Sequence, residues 1–164
     1  MSETAEGWAR VLTAFEDWIS YEAEEFGPWT GYFNLENLRS LTSREILGWM
    51  HKMQDELIPG RVDMCQGAAV ALEDFLPYMP GDEARNTVRS MIDLTQLIQD
   101  SMLGMSDQFG RMMEEYKTEG LEEAIHYLRG IIDTEEEIRH QMSLFSQGFA
   151  KLGTLGLEIP EEML

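Results

Sequence analysis

One stretch of the sequence decides the fold: Met91 to Tyr116, which reads MIDLTQLIQDSMLGMSDQFGRMMEEY. Within it, one set of side chains recurs at alternating steps of four and three residues: Met91, Thr95, Ile98, Met102, Met105, Phe109, Met112 and Tyr116. A seven-residue repeat of this kind places one continuous face of a helix against its neighbours. Leu94, Leu97 and Met113 widen that face beyond the narrow strip of a coiled coil. The stretch therefore predicts a long bundle helix and an all-α fold.

Helical spacing also recurs on both sides of this stretch, interrupted by glycine and proline. The predicted helices cover about 3–25, 42–57, 62–78 and 121–152, with a short turn of helix at 35–40. Short connections between such segments favour an antiparallel helical bundle of four main helices plus one or two shorter helices. We expect a single helical domain over 1–152 and a C-terminal tail over 153–164 that lies on the surface or frays.

Several helix boundaries carry specific signals. Thr42 and Glu45 form a capping-box pattern, and Asp82 is expected to cap the long helix. Pro59-Gly60 is expected to end the helix that begins at Thr42. Thr134 and Glu137 again fit a capping box, which allows the last helical region to restart there as a second helix.

Acidic residues dominate the composition, with 31 Asp and Glu against 12 Lys and Arg and a formal net charge of −19. A protein that binds nucleic acid through phosphates needs a basic surface, and anionic membranes disfavour an acidic chain. The charge therefore argues against nucleic acid and membrane partners and favours a protein partner with a basic surface. A solvated acidic coat without a partner is the alternative, and the sequence leaves open whether the chain forms a homo-oligomer.

The N-terminal residues and the single cysteine bear on the compartment. Residues 1–6 have neither a basic region nor an apolar run of signal-peptide length, so we expect a cytoplasmic protein. Cys65 is the only cysteine, which excludes an internal disulfide and suits a reducing compartment. It lies among small residues, which predicts a buried structural thiol.

Aromatic side chains cluster near the N-terminus, where eight of the sixteen fall within 8–33. The side chains of 29–33 cannot all point inward. Trp29, Tyr32 and Phe33 are therefore predicted to bind a partner, because Trp and Tyr are favoured at binding hot spots. The alternative is a loop that packs as a lid over the end of the bundle.

Two Glu-x-x-His pairs are candidates for metal binding: Glu123 with His126, and Glu137 with His140. A carboxylate and an imidazole three residues apart share one face of a helix. The pairs resemble those of ferritin-like carboxylate bundles, and the resemblance implies iron, manganese or zinc held by these four residues. In a continuous helix the fourteen residues between the pairs span about 21 Å, so the alternative is a solvated polar stripe.

His126 also heads the sequence His126-Tyr127-Leu128-Arg129-Gly130. This sequence resembles the His-x-x-Lys-Gly motif of histidine phosphotransfer domains, which are four-helix bundles. The resemblance implies that His126 accepts a phosphoryl group and that Arg129 steadies it in place of the usual lysine. The second glycine of the family motif is missing, and Ile131-Ile132-Asp133 stands instead.

The stretch 72–80, LEDFLPYMP, is similar to a segment of the helical acidic chaperones that mature molybdenum redox enzymes. This similarity keeps a client chaperone among the binding functions. No nucleophile is paired with a base at an interpretable spacing, so the sequence favours a protein without enzymatic activity. The predicted function is a non-enzymatic acidic binding protein: an adaptor, an inhibitor or immunity factor, or a client chaperone.

Overall fold

The computed structural model describes residues 2–164, and every regular element in that range is helical. The predicted all-α class is confirmed. The α-helices are α1 (Glu3–Tyr21), α2 (Leu35–Arg39), α3 (Ser43–Lys52), α4 (Ile58–Phe75), α5 (Asp82–Glu119), α6 (Leu121–Ala124), α7 (His126–Ser143) and α8 (Phe145–Thr154). Two π turns (Glu22–Phe26 and Met53–Leu57) and three 3₁₀ turns (Gly27–Tyr32, Leu76–Tyr78 and Glu161–Met163) complete the chain.

The long helix α5 lies at the centre of the packing, against α4 on one side and α6, α7 and α8 on another. Every residue of its predicted seam from Met91 to Met112 is buried, and Tyr116 is half-buried at the end. α1 covers the other face of α4. Helix α5 ends at Gly120, whose φ of 92° is a conformation that favours glycine. The heptad pattern therefore predicted both this helix and the face that it buries.

The capping box at the start of α3 is confirmed. The Thr42 hydroxyl accepts the Glu45 N–H at 3.2 Å, and the Glu45 carboxylate accepts the Thr42 N–H at 3.0 Å. These reciprocal bonds satisfy two of the amide groups that a helix start leaves without partners. The cap fixes where α3 begins, after the short helix α2.

The prediction that Pro59-Gly60 ends this helix is wrong. The π turn Met53–Leu57 joins α3 to α4, and the Ile58 N–H bonds to the carbonyl of Met53, five residues earlier. This wider turn places Pro59 in the first turn of α4, where a missing N–H costs little. The helix therefore runs on to Phe75 instead of stopping at the proline.

Two predicted caps are also corrected. Gly81 holds the cap position of α5, and Asp82 is its first helical residue, paired with Arg85. Thr134 starts no helix, because α7 is continuous and the Thr134 hydroxyl donates to the Gly130 carbonyl at 2.9 Å. A threonine inside a helix can donate its hydroxyl to a carbonyl of the preceding turn. The capping-box sequence pattern alone therefore does not identify the start of a helix.

The C-terminal tail is fixed more firmly than predicted. Its Met163 side chain is only 5% exposed, and the Trp8 indole Nε1–H donates to the Glu158 carbonyl at 2.9 Å. The tail thus lies across the helices rather than fraying from them. Among residues 2–164, no helix is both long enough and apolar enough to span a membrane.

Candidate binding groove

A groove of about 540 Å³ opens beside the aromatic turn, between the 3₁₀ turn Gly27–Tyr32 and helix α3. Trp29 and Tyr32 line it from the turn, and Trp49 and Gly48 line it from the helix. Its size lies within the range of roughly 300–1,000 Å³ that ligand sites occupy. The structure therefore brings two of the three predicted partner-binding residues into one concave surface.

Hydrogen bonds hold the turn in place. The Thr30 hydroxyl donates to the Gly27 carbonyl at 2.7 Å, and the Asn37 amide donates to the Gly31 carbonyl at 2.7 Å. In the π turn that precedes this 3₁₀ turn, the Phe26 side chain is buried. The side chains that line the groove thus stand on a supported segment.

The aromatic rings form a continuous layer from the surface into the core. Trp29 and Tyr32 have ring centroids 6.3 Å apart, and Tyr32 lies 6.1 Å from Trp49. Trp49 meets Phe109 of α5 edge to face at 5.2 Å. Phe33, also predicted to bind a partner, instead packs 6.0 Å from both Trp49 and Phe109. Phe33 thus lies next to the lining residue Trp49 and does not itself line the groove.

Trp49 is the residue that sequence reasoning missed. Its side chain is 2% exposed, and its Nε1–H has no hydrogen-bond partner among residues 2–164. By contrast, the buried Trp8 and Trp18 indoles donate to the Glu158 carbonyl and the Glu22 carboxylate. Buried polar groups without partners are rare in proteins and costly. Trp49 therefore carries a buried donor that no other group within residues 2–164 satisfies.

The rim of the groove is acidic. Glu45, Asp55 and Glu56 stand against one lysine, Lys52, and one histidine, His51. Lys52 pairs with Glu56 at 3.1 Å, and its ammonium lies 5.7 Å from the centre of the Trp29 ring. Hydrogen bonds from the Thr42 N–H and hydroxyl lower the pKa of the Glu45 carboxyl, so this rim charge persists into acid. The electrostatics of the groove favour a cation.

A separate cavity of about 520 Å³ lies between α1 and the helices α7 and α8. Its walls include Phe15, Trp18, Phe145 and Phe149, and the tail residues Met163 and Leu164 also line it. The C-terminal residues of the chain thus form part of the wall of this cavity.

A buried ionic network joins three helical segments below that cavity. Arg61 of α4 is fully buried and binds the Glu22 carboxylate through two hydrogen bonds of 2.7 Å. It also donates to the two oxygens of Glu135 of α7 at 2.6 and 3.1 Å. Burial disfavours the charged guanidinium, but hydrogen bonds and charges from Glu22 and Glu135 outweigh it and raise the pKa of Arg61. Arg139 adds a second cation, 2.8 Å from Glu135.

Cys65 is a buried thiol, as predicted. Its Sγ–H donates to the Thr95 carbonyl of α5 at 3.2 Å. Burial raises the pKa of this thiol to about 12, so the reactive thiolate does not form near neutral pH. Its position between α4 and α5 is structural.

The four predicted metal-binding residues all lie on the exposed surface: Glu123, His126, Glu137 and His140. α7 runs without a break from His126 to Ser143, so the two Glu-x-x-His pairs stay about 21 Å apart along the axis. No group of three or more His, Cys, Asp or Glu side chains within residues 2–164 is placed to hold a metal ion. Metal binding at these pairs stays a prediction.

The predicted phospho-acceptor His126 is exposed at the first turn of α7. Its Nδ1 lies 2.5 Å from the Glu123 carbonyl oxygen, which leaves Nε2 as its free nitrogen. Arg129 is exposed, whereas Gly130 packs against the Gln108 amide of α5. Phosphotransfer at His126 also stays a prediction.

The chain matches no protein-family model, and comparison with curated proteins and with solved structures gives no match.

Proposed function

We propose that this protein is a non-enzymatic binding protein that uses the groove at Trp29, Tyr32 and Trp49 to hold a protein partner with a basic surface. Adaptors, inhibitors or immunity factors, and client chaperones all work in this way. In this proposal the four long helical segments form an antiparallel bundle that serves as a rigid support. The observation that carries the proposal is an open aromatic groove whose rim is acidic.

Charge and aromatic area have different tasks in such an interaction. The net charge of −19 attracts a basic partner over long distances and speeds association. Half-buried Trp29 and Tyr32 provide apolar area with few rotatable bonds, which is typical of residues that dominate binding energy. Association should therefore depend on salt, and the lifetime of the complex on the aromatic side chains.

Capture of partners from native lysate tests the proposal. Trp29→Ala should weaken binding of a basic partner about 30-fold, which corresponds to the roughly 2 kcal/mol of a hot spot. Tyr78→Ala is the matched control, because Tyr78 is an exposed aromatic residue that does not line the groove. Higher salt should slow association of the unaltered protein.

The proposal fails if the captured protein is retained equally by Trp29→Ala and by Tyr78→Ala. It also fails if binding is indifferent to salt, because acidic steering would then have no part in recognition.

The metal and phosphotransfer predictions are tested independently of the groove. Elemental analysis of protein purified without a histidine tag should find stoichiometric iron, manganese or zinc if the Glu-x-x-His pairs bind metal, and His126→Ala or His140→Ala should remove it. Acid-labile phosphate on His126 after incubation with a phosphorylated response regulator would support phosphotransfer.

A further inference from the structure

We propose that the cavity between α1 and the helices α7 and α8, called here the α1–α8 cavity, binds an uncharged apolar small molecule. The α1–α8 cavity lies apart from the groove at Trp29, and the two share no lining residue. Its occupant is a small molecule rather than the protein partner proposed above.

The α1–α8 cavity lies at a seam where two helices do not pack closely. α1 packs along α4, and α7 and α8 pack along α5, whereas α1 and α8 meet mainly through aromatic side chains. Phe15 lies 4.9 Å from both Phe145 and Phe149, and each pair of rings meets edge to face. Beside these rings a space of about 520 Å³ stays open. This volume lies within the range of roughly 300–1,000 Å³ that small-molecule sites occupy.

Apolar side chains form most of the cavity wall. Trp18, Phe145 and Phe149 contribute aromatic rings to it. Met142 and Met163 contribute unbranched side chains, which can adapt to the shape of a bound molecule. The wall therefore suits an apolar ligand without demanding one exact outline.

The apolar surface continues to the mouth of the cavity. Ile19 and Leu164 both line it, and they are 42% and 62% exposed. A ligand that covers these two side chains removes apolar surface from water, which is a favourable change. Exposed apolar surface that adjoins a cavity is typical of a ligand site.

The charged groups that line the cavity leave little for an ionic ligand to pair with. Glu22 accepts two hydrogen bonds of 2.7 Å from the buried Arg61. Arg139 lies 2.8 Å from Glu135, and Glu162 is exposed to solvent, where an ion pair contributes little. An ion would lose its hydration among apolar walls without gaining a free counter-charge, so an uncharged molecule is favoured.

Binding of a neutral dye tests the proposal. The probe is N-phenylnaphthylamine, whose fluorescence rises in apolar surroundings. The comparison is anilinonaphthalene sulfonate, which adds a negative charge to the same ring skeleton. The neutral dye should bind saturably, and the sulfonate should bind about tenfold more weakly because the cavity offers it no unpaired cation. Equal affinity for both dyes would overturn the proposed ligand class.

Nitrogen–proton NMR of the indole groups locates the bound dye. Trp18 lines the α1–α8 cavity, and its Nε1–H donates to the Glu22 carboxylate at 3.2 Å. Trp29 lines the separate groove and serves as the internal control. The Trp18 indole resonance should move as the neutral dye is added, whereas the Trp29 resonance should not. A Trp18 resonance that does not move would overturn the proposal.

A variant that fills the cavity completes the test. Ser146 of α8 lines the cavity, and its hydroxyl donates to the Ser143 carbonyl at 2.8 Å. Ser146→Phe should weaken binding of the neutral dye about tenfold. Ser101→Phe is the matched control, because Ser101 is a half-buried helix serine that donates to the Leu97 carbonyl at 3.2 Å and does not line the cavity. Full affinity in Ser146→Phe would overturn the proposal, and the Trp18 response of the unaltered protein decides the matter if that variant does not fold.

Discussion

Arg61 shows how a single buried charge can be held in an apolar interior. Its guanidinium is fully buried, lies 3.9 Å from the centre of the Phe26 ring, and is matched by Glu22 and Glu135. Each partner comes from a different segment, so the cluster fixes the π turn after α1 and helix α7 against α4. A buried ion pair often stabilises a protein no more than apolar residues of similar size would. Removal of one partner is nevertheless strongly destabilising, because the other charge then stays buried without a partner.

Removal of Arg61 should therefore be severe. Arg61→Ala leaves Glu22 without a cation and leaves Glu135 with Arg139 alone, and we expect the free energy of unfolding to fall by about 3–5 kcal/mol. Urea denaturation of the variant and the unaltered protein measures the difference. Arg39→Ala is the control, because the Arg39–Glu122 pair is exposed and its loss should change stability little. Equal effects of the two substitutions would contradict the role assigned to Arg61.

Two protons, one on the buried Cys65 thiol and one on the half-buried Tyr21 phenol, should make the protein sensitive to alkali. Burial raises the pKa of Cys65 from 9.0 to about 12, and burial with nearby carboxylates raises the pKa of Tyr21 from 10.0 to about 12. Both groups bind protons more tightly when folded, so their contribution to stability is complete below about pH 9 and is lost as pH rises towards 12. The free energy of unfolding should decline over that interval.

Substitution of each residue tests whether its proton causes this decline in the free energy of unfolding. Cys65→Ala and Tyr21→Phe should each flatten the dependence of unfolding free energy on pH between pH 9 and 12, measured by denaturation in matched buffers. Tyr78→Phe, at an exposed tyrosine, should leave the slope unchanged. An identical slope in all three variants would show that other groups cause the loss.

The sequence was informative about which aromatic residues matter, but not about where each one points. Trp29 and Tyr32 were predictable because a short loop crowded with aromatic residues cannot bury all of them. Phe33 and Trp49 could not be placed from sequence, because tertiary packing sets where each ring lies: Phe33 packs against Phe109, and Trp49 of α3 lines the groove. The unpaired Trp49 N–H depends on the absence of nearby acceptors, which is a property of the folded chain alone.

At the scale of elements, the regular helices followed from the sequence, whereas the π turns did not. The heptad of α5 and the capping box of α3 depend on residues close in sequence, so both were predictable. No sequence motif marks the π turn at Met53–Leu57. Because of this turn, Pro59, which was predicted to end a helix, lies in the first turn of α4. The Arg61 network brings together residues 39 and 74 positions apart, beyond any local rule.

Two glycines of α4 should respond to substitution in opposite directions. A Cβ at Gly60 would overlap the Tyr21 hydroxyl, which donates to the Leu57 carbonyl at 2.7 Å, whereas Gly67 has open space around it. We expect Gly60→Ala to lose about 1–3 kcal/mol through crowding and Gly67→Ala to gain about 0.5–1 kcal/mol through helix propensity. Thermal unfolding distinguishes them, and a gain in both variants would show that α4 and α1 do not pack as described.

At the scale of the whole molecule, the proposed function joins the net charge of −19 to the aromatic groove. Charge alone would attract many basic molecules without discrimination. In the proposal, the half-buried rings of Trp29 and Tyr32 add a shaped apolar surface, which allows one basic partner to be preferred over others.

Site-specific photo-crosslinking tests this account most directly. A benzoyl-phenylalanine residue is placed at position 51, an exposed position on the rim of the groove, or at position 67 on α4, which has open surroundings. In native lysate, position 51 should give a discrete adduct with a basic protein that disappears at high salt, and position 67 should not. A lack of adduct at position 51, or the same adducts at both positions, would contradict the claim that this groove holds the partner.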